Sequence, residues 1–142
     1  MGFILLLMCS IHAISQTGEV FTKDGKAIEG YDPVAFFTES KPVMGADSLS
    51  YKWNDTKWLF SSAKNREAFK ENPKKYAPQY GGYCAYGIAQ GHKAPTKIDT
   101  WTIVDNKLYL NYNASVNQAW VKDQKKLIDK ADKEWPEIKD KK

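Results

Sequence analysis

Arginine, cysteine and histidine are the residues this chain has least of, with one arginine and two of each of the others in 142 residues. Two cysteines, Cys9 and Cys84, cannot build a disulfide framework. Long apolar runs are almost as scarce. The only one, residues 2–14, falls short of the ~20 residues that a membrane-spanning helix needs. An excess of one charge is also missing: 21 basic against 17 acidic residues leave a net +4. Half of the lysines lie in the last third, interleaved with Asp and Glu as on a solvated helix face. A nucleic-acid surface would be denser and less mixed, so no nucleic-acid partner is expected. No repeat with a period of 20–50 residues is expected either.

An apolar content of 42%, with 13% aromatics, is enough to fill the core of one modest globular domain. Residues 2–14, followed by Ala13-Ile14-Ser15 before Gln16, read as a secretory leader cleaved near Ser15/Gln16. The mature chain is then expected in the periplasm or outside the cell, with no stable membrane span. The leader takes Cys9 and His12 with it. Cys84 is left as a single thiol in a compartment where thiols usually pair. It must be buried, bound to a metal, paired with another chain, or reactive.

Along the chain, Val20-Phe21 predict a short edge strand and Asp24-Gly25 a hairpin-type turn. Asp32 is positioned to cap a short helix opened by Pro33, with Val34, Phe36 and Phe37 as core candidates. Residues 50–54 alternate with period two, Asn54-Asp55-Thr56 turns the chain, and Lys57 to Phe60 returns it as a β-hairpin. Ser61-Ser62 stops the strand and caps a helix over 63–71, which Asn72-Pro73 ends. A second hairpin spans Trp101–Val104 and Lys107–Tyr112 around Asp105-Asn106. From an Asn113 cap, apolar spacings of three and four predict one long helix that Trp135-Pro136 closes. The fold class expected is α+β: a small single domain with two β-hairpins, a short central helix and a long C-terminal helix. Its core should hold Phe36, Trp53, Trp58, Phe60, Phe69, Tyr76, Trp101, Leu108, Leu110 and Trp120.

The stretch 79–92 gathers four of the nine glycines, three tyrosines, Cys84 and His92. Glycine serves where φ must be positive or where backbones approach closely, so this stretch reads as a shaped loop. Either it is a tight turn with Cys84 as a small buried hydrophobe, or it presents a thiolate to a ligand.

The segments Asp32-Pro33-Val34, Trp58-Leu59-Phe60-Ser61-Ser62, Phe69 and Asn72-Pro73-Lys74-Lys75-Tyr76 together resemble the YHS domain family. Adding Gly81-Gly82-Tyr83-Cys84-Ala85 and the Lys107–Asn111 hairpin, the chain is similar to a secreted subgroup of that family over nearly all of 28–136. The resemblance implies the family's fold and a domain layout of leader 1–15, N-terminal segment 16–27, YHS-like domain 28–136 and charged tail 137–142. It also implies binding of a metal, copper foremost, through cysteines. The pattern's three cysteine positions hold Ala35, Ser61 and Asn65 here, which are poor ligands for a soft metal or none at all.

Three functional classes follow. A metal module would use Cys84 and His92 for copper ahead of zinc, with Asp32, Tyr31 or Tyr86 completing the shell. A metal-free module would bind a ligand or an envelope protein through its aromatics, with Tyr83 and Tyr86 near the loop surface beside Gly81 and Gly82. An enzyme with Cys84 as nucleophile and His92 as base lacks a recognisable orienting group. The chain is therefore read as a non-enzyme. A Cys84–Cys84 disulfide between chains remains a further possibility.

Overall fold

The computed structural model describes residues 18–141. The expected leader, its cleavage point and Cys9 lie outside that range. The fold is α+β, as the alternating hairpins and helical periodicities predict. Thr22–Lys23 (β1) and Lys26–Ala27 (β2) turn through Asp24-Gly25, so the first strand begins one residue after the expected Val20-Phe21. Ala35–Thr38 (α1) is the short helix after Asp32. Ala46–Trp53 (β3) and Thr56–Phe60 (β4) form the first hairpin. β4 also pairs parallel with β2, giving a four-stranded sheet of order β1-β2-β4-β3. Ala63–Glu71 (α2) and Pro73–Tyr76 (α3) follow. Next come Ala85–Ala89 (α4), the second hairpin of Lys97–Val104 (β5) and Lys107–Asn111 (β6), and the helices Ala114–Lys122 (α5) and Gln124–Ile138 (α6).

A structural recurrence lies just outside the 20–50-residue window in which no sequence repeat was expected. β3, β4 and α2 recur as β5, β6 and α5 with the same lengths, each 51 residues further on. The registers match as well: Trp53↔Thr56 and Ala46↔Phe60 correspond to Val104↔Lys107 and Lys97↔Asn111, each hairpin with an irregularity in its first strand. Each hairpin turns on two residues of positive φ, Asn54-Asp55 and Asp105-Asn106. Each following helix has a side-chain cap, from Ser62 onto the Asn65 amide and from Asn113 onto the Val116 amide.

Ahead of each hairpin stands a run of three left-handed residues, Ile28-Glu29-Gly30 in the first unit and Tyr80-Gly81-Gly82 in the second. A positive φ is strained for a β-branched residue such as Ile28. It is held because Ile28 is fully buried and its Cγ2 lies 3.4 Å from where a Gly82 Cβ would stand. The two turns thus lean on each other, and the glycine leaves room for the contact.

Strand β6 separates two cores. Side chains alternate across a strand, so Leu108 and Leu110 join Phe36, Trp58, Phe60 and Phe69. Tyr109 faces the other way, toward Tyr80, Tyr83, Ile88, Trp120 and Leu127. The expected core is present, with Trp53, Tyr76 and Trp101 half-buried against it.

Two expectations about helices need correcting. The C-terminal helix is two, broken at Asp123, whose backbone leaves helical geometry. No Gly or Pro marks the break. The apolar spacing runs on through it because Trp120 and Leu127 enter the same core. Nor does Trp135-Pro136 close α6. Pro136 sits within the final turn, where it removes one amide, and the Lys139 amide still bonds the Trp135 carbonyl.

Candidate functional site

The three positions at which the resemblance expects cysteine do converge, and they converge on Asp32. This carboxylate is fully buried. Its Oδ1 accepts from the amides of Val34 (2.8 Å) and Ala35 (3.3 Å). Its Oδ2 accepts from the Ser61 amide (2.9 Å), the Ser61 hydroxyl (2.7 Å) and the Asn65 side-chain amide (2.8 Å). Five donors fill the lone pairs of one carboxylate. A cation here would have to break those bonds and would meet no thiolate, only hard oxygen and amide groups. The metal set implied by the resemblance does not fit these residues.

The second unit has a corresponding centre at Cys84. The thiol is buried, accepts from the Gly87 amide at 3.4 Å and donates to Asn111 Oδ1 at 3.5 Å. Asn111, also fully buried, accepts from the Tyr86 amide (3.0 Å) and donates through Nδ2 to Asn117 (3.0 Å). Asp32 and Cys84 therefore do one job: each caps a short helix and ties it to the end of a hairpin. The glycine-rich stretch was expected as a loop, but half of it is a left-handed turn and half is α4. His92 is exposed. Its Nε2 and the Cys84 Cβ each lie 3.5 Å from where a Gly87 Cβ would stand, so the structure brings Cys84 and His92 together around that glycine. Asp32 takes its five side-chain hydrogen bonds from Val34, Ala35, Ser61 and Asn65 and none from Cys84 or His92. Among the described residues no three His, Cys, Asp or Glu side chains are gathered as a metal ion would need.

The tyrosines divide. Tyr83 was expected near the surface and is instead buried, its hydroxyl donating to the Gly18 carbonyl at 2.8 Å. The ring is enclosed by Phe21 and Trp135 and capped by the Lys93 ammonium at 5.2 Å. Tyr86 and Tyr31 are half-buried, Tyr31 bridging to Met44. Gly82 and Gly81 carry positive φ, and a Cβ on Gly81 would collide with the Glu19 carbonyl. Lys93, which the sequence did not single out, donates to the carbonyls of Gly18, Lys139 and Lys141 and so clamps the segment at Gly18 and the residues that follow α6 to this region. A cation beside the last carbonyls of α6 also suits the helix dipole.

Burial pushes the Cys84 thiol up, only partly opposed by the Gly87 amide. Burial likewise raises Tyr83 and raises Tyr80, whose hydroxyl also donates to Asp132. Tyr109 is pushed up to about 12, chiefly by burial. Each folded value lies above the unfolded one, so each group contributes stability below its ordinary 9.0 or 10.0 and loses it as pH rises through the folded value. The urea midpoint is therefore expected to stay level near neutrality and fall from about pH 9 upward. A midpoint that held steady to about pH 11 would contradict this assignment. The same burial predicts slow reaction of Cys84 with iodoacetamide at neutral pH.

Where the two units meet, a cleft of about 370 Å³ opens. Its walls include Trp53 and Trp58 from the first hairpin, Gly81 from the second left-handed turn and Trp135 from α6. Lys74 and Lys107 stand at its rim. Of these the sequence pointed only to Gly81 for the site, because the others lie outside the glycine-rich stretch 79–92 in the chain. A scan against protein-family models finds no match to the chain, and searches of the curated proteins and of the solved structures find none either.

Proposed function

We propose that the chain is an exported, non-catalytic YHS-like binding module that works without a metal and holds its ligand, a small molecule or a segment of an envelope protein, in the inter-unit cleft. The observation that carries this reading is the saturation of Asp32. The position around which a metal cage would form is filled by five internal hydrogen bonds. What would otherwise be reactive chemistry is structural, because Cys84 is a buried cap with a raised pKa. The cleft, by contrast, is lined by half-buried indoles and exposed ammonium groups, a combination common in ligand sites.

A second reading is favoured by one observation, the approach of Cys84 and His92 around Gly87. A copper or zinc ion held there would draw on a thiolate and an imidazole. Elemental analysis after exposure to copper and zinc salts and desalting, with Cys84→Ser alongside, separates the two. The metal-free reading expects far less than one ion per chain in both proteins. Near-stoichiometric metal that disappears in Cys84→Ser would replace it with the metal reading.

A further inference from the structure

We infer that the cleft between the two units takes a planar aromatic carboxylate, with its ring against the indoles of Trp53 and Trp135 and its carboxylate toward Lys74 and Lys107. This names the ligand class of the proposed function and rests on that reading.

Size is the first argument. The cleft's volume of about 370 Å³ falls at the lower end of the roughly 300–1,000 Å³ of small-molecule sites. It suits a compact ligand better than a folded partner.

Rigidity is the second. Both indoles are half-buried, so each keeps ring surface open, and each is fixed from behind. Trp53 packs against Trp58 at 5.8 Å and edge-on to Phe69 at 5.7 Å. Trp135 packs against Tyr80 at 6.1 Å and Tyr83 at 6.3 Å. The Trp58 indole N–H donates to the Trp53 carbonyl at 3.0 Å, which pins the buried Trp58 to the backbone of the cleft wall. Aromatic faces held in this way favour a flat, apolar ligand body at little entropic cost.

Charge is the third. Lys74 and Lys107 are exposed, and among the described residues neither belongs to an ion pair. Burial holds the Lys93 ammonium below the usual lysine range, partly opposed by Asp140 and by Glu19, the one acid lining the cleft, so Glu19 already faces a cation. Two free cations at the mouth of an aromatic slot select an anion over a neutral ring.

The test uses 2-naphthoate and its neutral isostere 2-naphthamide against the protein and a Lys74→Ala/Lys107→Ala variant. Binding is followed by calorimetry and by the indole N–H signals in a ¹H–¹⁵N spectrum. Both substitutions are on the surface and leave the core intact. We expect 2-naphthoate to move the Trp53 and Trp135 signals, and the double variant to weaken it about tenfold, the effect of two exposed ion contacts. 2-Naphthamide should bind more weakly and equally to both proteins. Equal binding of the two probes, unaffected by the double variant, would overturn the anionic class while leaving the cleft as the binding site. No movement of either indole signal with either probe would overturn both the ligand class and the cleft's part in the proposed function. The metal-free reading would then still be judged separately by the elemental analysis.

Discussion

Asp32→Ala is expected to lower the unfolding free energy by about 3–5 kcal/mol, the range for removing one partner from a buried charged network. The carboxylate has no solvent exposure, and its five donors come from two distant parts of the chain. Val34 and Ala35 supply the amides that open α1, while Ser61 and Asn65 lie 29 and 33 residues away, where β4 hands over to α2. Alanine removes the only acceptor these groups share, leaving the Val34 and Ala35 amides buried without it and the part-buried Ser61 and Asn65 donors without their common partner. Each buried donor without a partner costs about 1–3 kcal/mol, and neighbours in one network do not add simply. Asp32→Asn keeps the shape but turns one acceptor into a donor. If its NH₂ faces Ser61, the hydroxyl can rotate to accept, so a smaller loss of about 1–3 kcal/mol is expected. Urea midpoints at unchanged slope measure both. A loss below about 1 kcal/mol for Asp32→Ala would show that the network is not the keystone of the first unit. Since a domain of this kind has only about 5–15 kcal/mol in hand, the alanine variant should also lose the inter-unit cleft at moderate temperature.

The parts of this architecture that are encoded locally could be read from the sequence. Asn54-Asp55 and Asp105-Asn106 announce their turns because Asn and Asp tolerate positive φ. Ser62 and Asn113 announce their helices because their side chains satisfy the first free amides. The duplication was hidden because those signals survive without the sequence that surrounds them. Over 54–71 against 105–122 only Leu59/Leu110, Ala63/Ala114 and Ala68/Ala119 are identical. What is shared is chemistry by position: a turn pair, a cap, and one large aromatic, Phe69 or Trp120. The two polar centres were less legible still. Asp32 could be read as a cap and as a candidate ligand, but its bonds to Ser61 and Asn65 are set by tertiary structure. Asn111 carried one usable hint, since Asn is depleted in strands and its presence in β6 asks for a partner. Tyr83 misled because a polar tip suggests the surface, whereas its hydroxyl finds the Gly18 carbonyl inside. Glycine-rich composition misled in the same way at α4, where Gly87 sits inside a helix against His92 and Cys84.

The paired aromatics supply the second large expected effect. Phe69 is the one residue that α2 buries fully. Its ring lies 5.1 Å from Trp58 and 5.2 Å from Phe60, and edge-on to Trp53 and Tyr51 at 5.7 and 6.3 Å. Phe69→Ala should cost about 3–5 kcal/mol, because these four rings are held by β-strands and cannot collapse into the void. The same substitution should shift the Trp53 fluorescence, since Phe69 supports that cleft wall from behind, and this readout ties the core to the site. Trp120 occupies the matching place in α5, fully buried and 5.4 Å from Tyr109. Its indole N–H finds no acceptor among the described residues. The two substitutions possible there should therefore diverge. Trp120→Ala opens a cavity and is expected to cost about as much as Phe69→Ala, roughly 3–5 kcal/mol. Trp120→Phe installs the residue type of the first unit. It leaves a smaller void and removes a buried donor worth about 1–3 kcal/mol when unpaired, so its net change should be within about 1 kcal/mol of zero. A Trp120→Phe loss as large as that of Trp120→Ala would mean that the N–H is bonded after all. The second unit would then depend on a polar contact that the first unit does without.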